Sequence, residues 1–252
     1  MDFADPAQRA AFFAVHRDMP REGPGDRASV EQALRLAGSL PAHPDILDIA
    51  CGPGGQTLDL ADLLPDAQIT ALDGHQPFLR QLEAAAREAG ALDRIHIVRG
   101  DMGALPYAPE SFDLIWCEGA AYIIGFERAL ADWKPLLRPG GVLALTEPVW
   151  LTDDPPEPVR ACWAEYPAME DVASARRRAQ ALDYEVAGDF VLSEAAWQTH
   201  YYGPLEERLI AATARQAGDL IAQAVFAEIR EEIDVRRAWP ETYGYLFLVL
   251  RA

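Results

Sequence analysis

The sequence predicts an α/β fold with a mostly parallel β-sheet and helices on both of its faces. Between positions 45 and 146, short apolar stretches of strand length alternate with amphipathic stretches of helix length. The connections between them are short, and Gly or Pro stands at several of their ends. A repeated strand–helix–strand order requires crossover connections, which place parallel strands side by side and cover both faces of the sheet.

Two helices are predicted before the first strand. The first spans residues 6–16, and the Pro- and Gly-rich stretch at 19–25 cannot continue it. Asp26 is placed to cap a second helix at 27–40. The apolar positions of this second helix follow the i, i+3, i+4, i+7 spacing of an amphipathic helix: Val30, Ala33, Leu34 and Ala37.

The alternating region is predicted to contain five strands and three helices. The strands are placed at 45–50, 68–72, 95–98, 112–117 and 142–146. The helices are placed at 56–64, 77–89 and 126–137, and a turn is placed at 138–141. The second of these helices begins with Pro77 and is followed by Gly90, which is the usual asymmetry of helix ends.

The last third of the chain is predicted to complete the same sheet and to add a helical cover. Residues 157–183 are expected to be mostly helical, 184–192 to form a strand, 205–237 a long helical stretch and 243–250 the final strand. Because no linker separates these elements from the alternating region, we expect residues 1–252 to form a single domain.

Composition restricts the expected partners. The 252 residues carry a formal net charge of −18, which disfavours binding to nucleic acid and to anionic lipid. The three cysteines are far apart and belong to no His/Cys cluster, so no metal site is expected. The first five residues are acidic rather than basic, and the longest apolar stretch, 245–250, is too short to span a bilayer. We therefore expect a cytoplasmic protein.

A glycine-rich loop at residues 48–55 carries the strongest functional signal. It reads Asp-Ile-Ala-Cys-Gly-Pro-Gly-Gly and stands between the first predicted strand and the next helix. Glycines permit a tight turn close to a ligand, and the helix N-terminus that follows attracts a carboxylate or phosphate. Asp73 ends the second strand 21 positions after Gly52, which suits the two hydroxyls of a ribose. These two features alone leave a nicotinamide dinucleotide open as the ligand.

Further motifs follow in order at 100–102, 105–107, 110–115 and 136–141. With the glycine loop and Asp73, the chain resembles the class I S-adenosylmethionine-dependent methyltransferases, in the group labelled methyltransferase domain 11, over residues 44–148. The resemblance implies a Rossmann-like fold with a mostly parallel seven-stranded sheet and an antiparallel last strand. It implies S-adenosyl-L-methionine as cofactor, S-adenosyl-L-homocysteine as product, and methyl transfer to an N, O or S atom of a small molecule.

The same resemblance divides the chain into three parts. Residues 1–43 would be a helical lid, 44–148 the cofactor-binding core, and 149–252 the substrate-side helices and the last two strands. In the core, Gly52 and Gly54 would let the loop pass against the methionine moiety. Asp48 would orient that loop and reach the cofactor's amino group. Ala50 stands where the family often has glycine.

The remaining cofactor contacts are also implied by the resemblance. Asp73, with Gly74 beside it, would bind the ribose hydroxyls. Asp101 would bind the adenine amino group, and Met102 would pack on the ring. Glu118 and Gly119, just past the fourth strand, would line the methionine end and the substrate mouth. Apart from the resemblance, the Pro- and Gly-rich segment 20–25 has two interpretations: a lid over the cofactor, with Arg21 reaching a carboxylate, or an exposed linker with a solvated arginine.

Methyl transfer from a sulfonium mainly needs alignment, and a general base is required only for a protonated nucleophile. No motif therefore has to mark the catalytic residue. The candidates for catalysis are Glu118, Glu147 and His200, with His16 as a weaker one. The candidates for acceptor binding are Tyr122, Trp150, Tyr201 and Tyr202. Aromatic walls with carboxylates suit an amine, whereas His200 could serve a hydroxyl.

Three alternatives compete with this interpretation. A protein of the same fold could bind the cofactor and serve a regulatory or scaffold role without methyl transfer. A nicotinamide-dependent oxidoreductase would want a third glycine where Thr57 stands. An aminopropyl transferase would want an aspartate-rich amine-binding signature after the fourth strand, which the sequence lacks.

Overall fold

One β-sheet of eight strands organises the part of the chain that this computed structural model describes, which is residue 1 and residues 3–252. The strands are β1 (Asp45–Ile49), β2 (Gln68–Asp73), β3 (Ile95–Arg99), β4 (Phe112–Cys117), β5 (Leu137–Trp150), β6 (Glu170–Asp171), β7 (Glu185–Val191) and β8 (Tyr243–Arg251). Their order is β3-β2-β1-β4-β5-β8-β7, and β6 pairs with the end of β5. Only β8 runs against its neighbours β5 and β7.

This topology confirms the predicted fold class, a mostly parallel sheet with an antiparallel last strand. It adds an eighth strand to the seven expected, because residues 170 and 171 pair in parallel with Val149 and Trp150. A strand of two residues is too short to leave a periodic pattern in the sequence.

The described residues form eleven α-helices. They are α1 (Pro6–His16), α2 (Arg27–Ala37), α3 (Gly55–Leu63), α4 (Gln76–Glu88), α5 (Ala121–Ile124), α6 (Phe126–Trp133), α7 (Glu157–Cys162), α8 (Val172–Gln180), α9 (Glu194–Trp197), α10 (Gly203–Arg215) and α11 (Leu220–Ala238). A π-helical turn, Gln198–Tyr202, joins α9 to α10. Short 3₁₀ turns precede β3 and β5 at Leu92–Arg94 and Lys134–Leu136.

The sheet separates two apolar layers. Buried residues of α1–α4, α7 and α9–α11 pack on one face. Buried residues of α5, α6 and α8 pack on the other. Burial of these two layers is the main favourable contribution to folding, because each strand between them loses water from both of its faces.

Strand β5 differs from the prediction because it begins before the expected turn. Leu137 already pairs with Phe112, and regular pairing resumes at Val142 opposite Leu114. Residues 138–141 therefore form a bulge within the strand, where Gly140 adopts a φ of +75°. The Pro-Gly-Gly sequence therefore marks an irregularity inside β5 and not a turn that precedes the strand.

Three helices end earlier than predicted. Helix α2 stops at Ala37, because Gly38 adopts a φ of +73° and its N–H caps the carbonyl of Arg35. The predicted helix 126–137 ends at Trp133 and continues as a 3₁₀ turn. The predicted long helix 205–237 breaks into two, since the Asp219 side chain accepts hydrogen bonds from two backbone N–H groups that begin α11.

The functional edge of the sheet is the one where the carboxyl ends of β1, β2, β4 and β5 meet. Helix α1 packs against α10 and α11 beside this edge. The segment 19–25, between α1 and α2, crosses the loop that follows β1. Among the described residues, no helix is both long and apolar enough to cross a membrane.

Candidate functional site

The loop after β1 turns through backbone conformations that favour glycine. Gly52 and Gly54 have φ values of +55° and +92°. A Cβ atom on Gly54 would collide with the side chain of Leu82 on α4. Ala50 also has a positive φ, +55°, although it carries a Cβ. This conformation costs an alanine about 1 kcal/mol, which accounts for the glycine that the resembling family often has there.

Asp48 lies fully buried beneath this loop. The Thr57 hydroxyl donates to its Oδ2 at 2.5 Å, and Gln56 donates through Nε2 both to this carboxyl and, at 3.0 Å, to the carbonyl of Cys51. Burial raises the pKa of Asp48 to about 7, while the hydrogen bond from Thr57 opposes that rise. The buried carboxyl thus ties the loop to the first turn of α3.

Asp73 at the end of β2 holds three loops together. Its Oδ2 accepts from the N–H of Gly52 at 2.9 Å, and its Oδ1 accepts from the N–H of His75 at 2.7 Å. Its carbonyl accepts from the N–H of Gly100 after β3 at 3.1 Å. A carboxylate has about four acceptor sites, so both oxygens keep capacity for hydroxyl groups of a ligand. Gly74, the next residue, is exposed and adds no side chain there.

Asp101 and Met102 form a turn after β3. Asp101 is exposed, and its Oδ1 accepts from the N–H of Gly103 at 2.8 Å. The half-buried Met102 is fixed through its carbonyl, which accepts from the indole N–H of Trp133 at 3.2 Å. The turn therefore presents a carboxylate beside an apolar side chain, a pair suited to a purine amino group and ring.

Arg21 crosses from the segment 19–25 into the site, and its side chain is 8% exposed. Its Nη1 donates to Oε2 of Glu118 at 3.0 Å, and its Nη2 donates to Oδ2 of Asp59 on α3 at 2.6 Å. Trp116 donates to the other Glu118 oxygen at 2.8 Å. Burial raises the pKa of Glu118, and the Arg21 charge opposes this rise. A buried ion pair thus joins the loop after β4 to the segment above the glycine loop.

A second contact between this segment and the glycine loop involves Glu22 and His16. His16 Nδ1 lies 2.7 Å from Oε2 of Glu22, and the His16 ring stacks on Phe12 at 3.9 Å between centroids. Burial lowers the pKa of His16 to about 4 and raises that of Glu22 to about 9. The Glu22 Cγ lies 3.4 Å from where a Cβ of Gly52 would stand, so Glu22 packs directly on the loop.

Four buried tyrosines of the π-helical turn and β8, together with a half-buried tyrosine of α5, form a group next to the loop after β4. We refer to this group as the tyrosine cluster: Tyr122, Tyr201, Tyr202, Tyr243 and Tyr245. Gly119, which has a φ of +68°, leads into it, since a Cβ on Gly119 would lie 3.6 Å from the Tyr245 ring. The Gly119 N–H donates to the Thr146 hydroxyl at 2.7 Å, which fixes this backbone.

Two carboxyl groups stand at the tyrosine cluster. Tyr202 donates to Oε1 of Glu232 on α11 at 2.8 Å, and burial raises the pKa of Glu232. Tyr166 donates to Oε1 of Glu147 at 2.5 Å, and its ring centroid lies 5.4 Å from that of Tyr122. Glu147 is fully buried, and burial raises its pKa to about 8. Its Oε2 has no hydrogen-bond partner among the described residues.

The fold brings most of the residues predicted from the sequence to this one edge. They are Arg21, Asp48, Ala50, Gly52, Gly54, Asp73, Gly74, Asp101, Met102, Glu118, Gly119, Tyr122, Glu147, Tyr201 and Tyr202. Trp150 ends β5 in register with Tyr243 of β8. His200 is exposed while its neighbours Tyr201 and Tyr202 are buried, so the structure does not bring its imidazole into the tyrosine cluster.

Sequence reasoning missed five residues of this edge: Glu22, Tyr166, Glu232, Tyr243 and Tyr245. One of them left a usable signal. Glu232 stands three positions after Ile229 and one before Ile233, both of which are buried on α11. A glutamate on the buried face of an amphipathic helix is rarely left without a role. The other four lie in a loop or in a strand whose pattern is almost wholly apolar or aromatic.

The chain is similar to methyltransferases in sequence and in fold. A family profile described as a methyltransferase domain matches residues 46–141. The chain is 32% identical over 197 residues to the malonyl-[acyl-carrier protein] O-methyltransferase of Enterobacter lignolyticus (strain SCF1), covering 76% of this chain and 72% of that protein. The X-ray structure of YjhP from E. coli has a TM-score of 0.84 at 22% identity, covering 96% of this chain and 99% of that one. A methyltransferase from Geobacter sulfurreducens in complex with S-adenosyl-L-homocysteine has a TM-score of 0.83 at 21% identity, covering 96% and 97%.

Replacing Glu147 by Gln should stabilise the protein increasingly as the pH rises. The folded-state pKa of Glu147 is raised to about 8, so the wild-type protein loses stability between the usual carboxyl pKa and pH 8, whereas a Gln does not ionise. Urea unfolding at pH 5 and pH 8 should show the advantage of Glu147→Gln growing to roughly 1–4 kcal/mol at pH 8. Glu185→Gln, at an exposed position of β7, controls for the loss of one charge. An advantage that is equal at both pH values would contradict the buried-carboxyl assignment.

Replacing Gly55 by Ala should lift the segment 19–25 from the glycine loop. A Cβ on Gly55 would lie 2.6 Å from the carbonyl oxygen of Pro20, and backbone cannot yield as a flexible side chain can. Hydrogen exchange measured by mass spectrometry should therefore become faster across residues 19–25. Gly23→Ala in the same segment is the matched control, since a Cβ there meets nothing within 4 Å. Equal protection in the two variants would show that the segment does not rest on the loop.

Proposed function

The chain belongs to the class I S-adenosylmethionine-dependent methyltransferases, and we propose that it methylates a small molecule bound at the tyrosine cluster. One observation supports the location of the acceptor at the tyrosine cluster. The loop after β4, where Glu118 and Gly119 stand at the proposed methionine end of the cofactor, opens directly onto Tyr245. A nucleophile held among the tyrosines would therefore be adjacent to the methyl donor.

The residues after β1 and β2 fit the cofactor. The loop exposes backbone without side chains at Gly52 and Gly54, which adopt positive φ values, and Asp73 keeps acceptor capacity on both oxygens. When bound, S-adenosylmethionine supplies a methyl group on a sulfonium, an electrophile whose leaving group is already activated. We assign the ribose hydroxyls to Asp73 and the adenine to Asp101 and Met102. Asp48 would hold the loop in place and face the amino group.

The segment before α2 is proposed to act as a lid over the methionine end. Arg21 supports this role, because its guanidinium is buried between Glu118 and Asp59 while Pro20 lies on Gly55. A carboxylate arriving at this place would compete for the five N–H donors of Arg21. Closing such a segment removes water from the site, which strengthens the remaining electrostatic interactions.

The chain's own contribution to the reaction is alignment and the placement of a proton. Rings on several elements would hold the acceptor in one orientation, which converts a bimolecular encounter into a reaction between fixed partners. A nucleophile that arrives protonated must give up that proton. In their ionised forms, which become more populated as the pH rises because burial raises both pKa values, the carboxyls of Glu147 and Glu232 are the proposed proton acceptors.

Replacing Asp73 by Asn should weaken binding of S-adenosylmethionine and S-adenosylhomocysteine at least tenfold. The amide keeps only one acceptor oxygen, so it cannot serve both the loop N–H groups and two ribose hydroxyls. Isothermal titration calorimetry with both ligands measures this, with NAD as the comparison ligand. Asp66→Asn, exposed in the loop that precedes β2, is the matched control. Unchanged affinity in Asp73→Asn, or clear NAD binding, would contradict the assignment.

A further inference from the structure

The carboxyl groups on the acceptor side of the site are not paired with the buried Arg236, whose Nη2 lies 2.6 Å from Oε2 of Glu194 instead. Glu232 and Glu147 form no ion pair with any arginine, lysine or histidine of the described residues. Among the described residues, Glu22 is paired only with His16, whose lowered pKa leaves it uncharged near neutral pH. Burial raises the pKa of all three carboxyls, and this effect outweighs the opposing charges of Arg208 on Glu22 and of Arg178 on Glu147.

The walls around Glu232 are aromatic. Tyr201 and Tyr202 lie 4.9 Å apart between ring centroids, and Trp197 stacks on Tyr202 at 5.8 Å. One cation of the protein already uses these rings: the guanidinium of Arg236 lies 4.1 Å from the Trp197 centroid and 5.0 Å from that of Tyr243. Aromatic faces attract cations through their negative quadrupole, most strongly where water is excluded.

Five buried polar atoms at this place have no hydrogen-bond partner among the described residues. Two of them can accept a hydrogen bond from an N–H donor, the Oε2 of Glu147 and the hydroxyl of Tyr243, and three are N–H groups, on Trp163, Trp197 and Arg236. Leaving such an atom unsatisfied in a buried site costs about 1–3 kcal/mol. Glu147 and Tyr243 are almost fully buried.

We propose that the methyl acceptor is an organic amine, bound as a cation with its nitrogen between Glu232 and the faces of the tyrosine cluster. This inference rests on the proposed methyl transfer, and it names the chemical class of the acceptor. Before transfer the bound ammonium gives its proton to the ionised Glu232 carboxylate, because only the neutral amine has the lone pair that attacks the methyl carbon. A carboxylic acid acceptor would instead bring a negative charge to a site whose carboxyls form no ion pair among the described residues. An uncharged acceptor would leave those carboxyls without an ionic partner.

Binding of a cation should release a proton from the site. Titratable groups interact with Glu232 from several elements around it: His16 of α1, Tyr122 of α5, Cys162 of α7, Tyr201 and Tyr202 of the π-helical turn, and Tyr243 and Tyr245 of β8. On its own helix, Arg236 is charged but pairs with Glu194. Apart from Arg236, none of these groups supplies a positive charge near neutral pH. A bound cation would therefore be the group that favours ionisation of Glu232, and the carboxyl proton would pass to the buffer.

Three ligands of the same shape and different charge test this inference. They are choline, 3,3-dimethylbutan-1-ol and 3,3-dimethylbutanoate, which carry a positive, a zero and a negative charge. Calorimetric titration of the protein saturated with S-adenosylhomocysteine should show that choline binds at least tenfold more tightly than either isostere. Choline has no N–H, so a proton released on binding comes from the protein itself. A difference between the binding enthalpies measured in phosphate and in Tris at pH 7 reports this proton, because the buffer takes it up.

Glu232→Gln should weaken choline binding at least tenfold and abolish the proton release. The control is Glu231→Gln, at the exposed preceding position of α11, which should leave both the affinity and the proton release unchanged. No choline binding, equal binding of the uncharged isostere, or unchanged affinity in Glu232→Gln would each overturn the amine assignment. The charge preference in the wild-type protein tests it even if a variant does not fold. No step of this experiment requires turnover, so failure of methyl transfer and failure of the amine assignment give separate results.

Discussion

The architecture of the site depends on how the loop after β1 is held between two carboxyl groups. Asp48 lies beneath the loop and binds the first turn of α3, whereas Asp73 lies beside it and binds the Gly52 N–H. Between these two contacts the backbone at Ala50, Gly52 and Gly54 adopts positive φ values, which glycine accepts at little cost. The parallel sheet supplies the geometry, because it delivers the ends of β1, β2 and β4 to the same edge.

Charge is distributed unevenly across this edge. On the side of the proposed methionine end, Glu118 is paired with a buried arginine that itself bridges to Asp59. On the acceptor side, the hydrogen bonds that Glu232 and Glu147 accept among the described residues come from tyrosine hydroxyls. One half of the site thus carries its own counter-charge, whereas the carboxyls of the other half form no ion pair within the described part of the chain, and the buried Arg236 pairs with Glu194. This asymmetry is the physical basis for assigning an amine to the acceptor side.

The sequence predicted those elements whose signals lie within a few neighbouring residues. The strands β1–β4, the helix that Asp26 caps and the cofactor loop could all be located because periodicity, capping and glycine placement act over a few residues. The bulge in β5 and the two-residue β6 could not, because both are defined by pairing with another strand. The tyrosine cluster assembles three elements that are far apart in the chain. Tyr201 and Tyr202 were identified as candidates, whereas Tyr245 and Glu232 were hidden in an apolar strand and on a buried helix face.

A crystal structure of the protein with S-adenosylhomocysteine tests the central claim most directly. The account predicts that the ligand lies along the loop 50–55, with its ribose hydroxyls on the Asp73 carboxylate and its sulfur facing the tyrosine cluster. A ligand bound elsewhere, or one whose sulfur is separated from the tyrosine cluster by packed side chains, would contradict it.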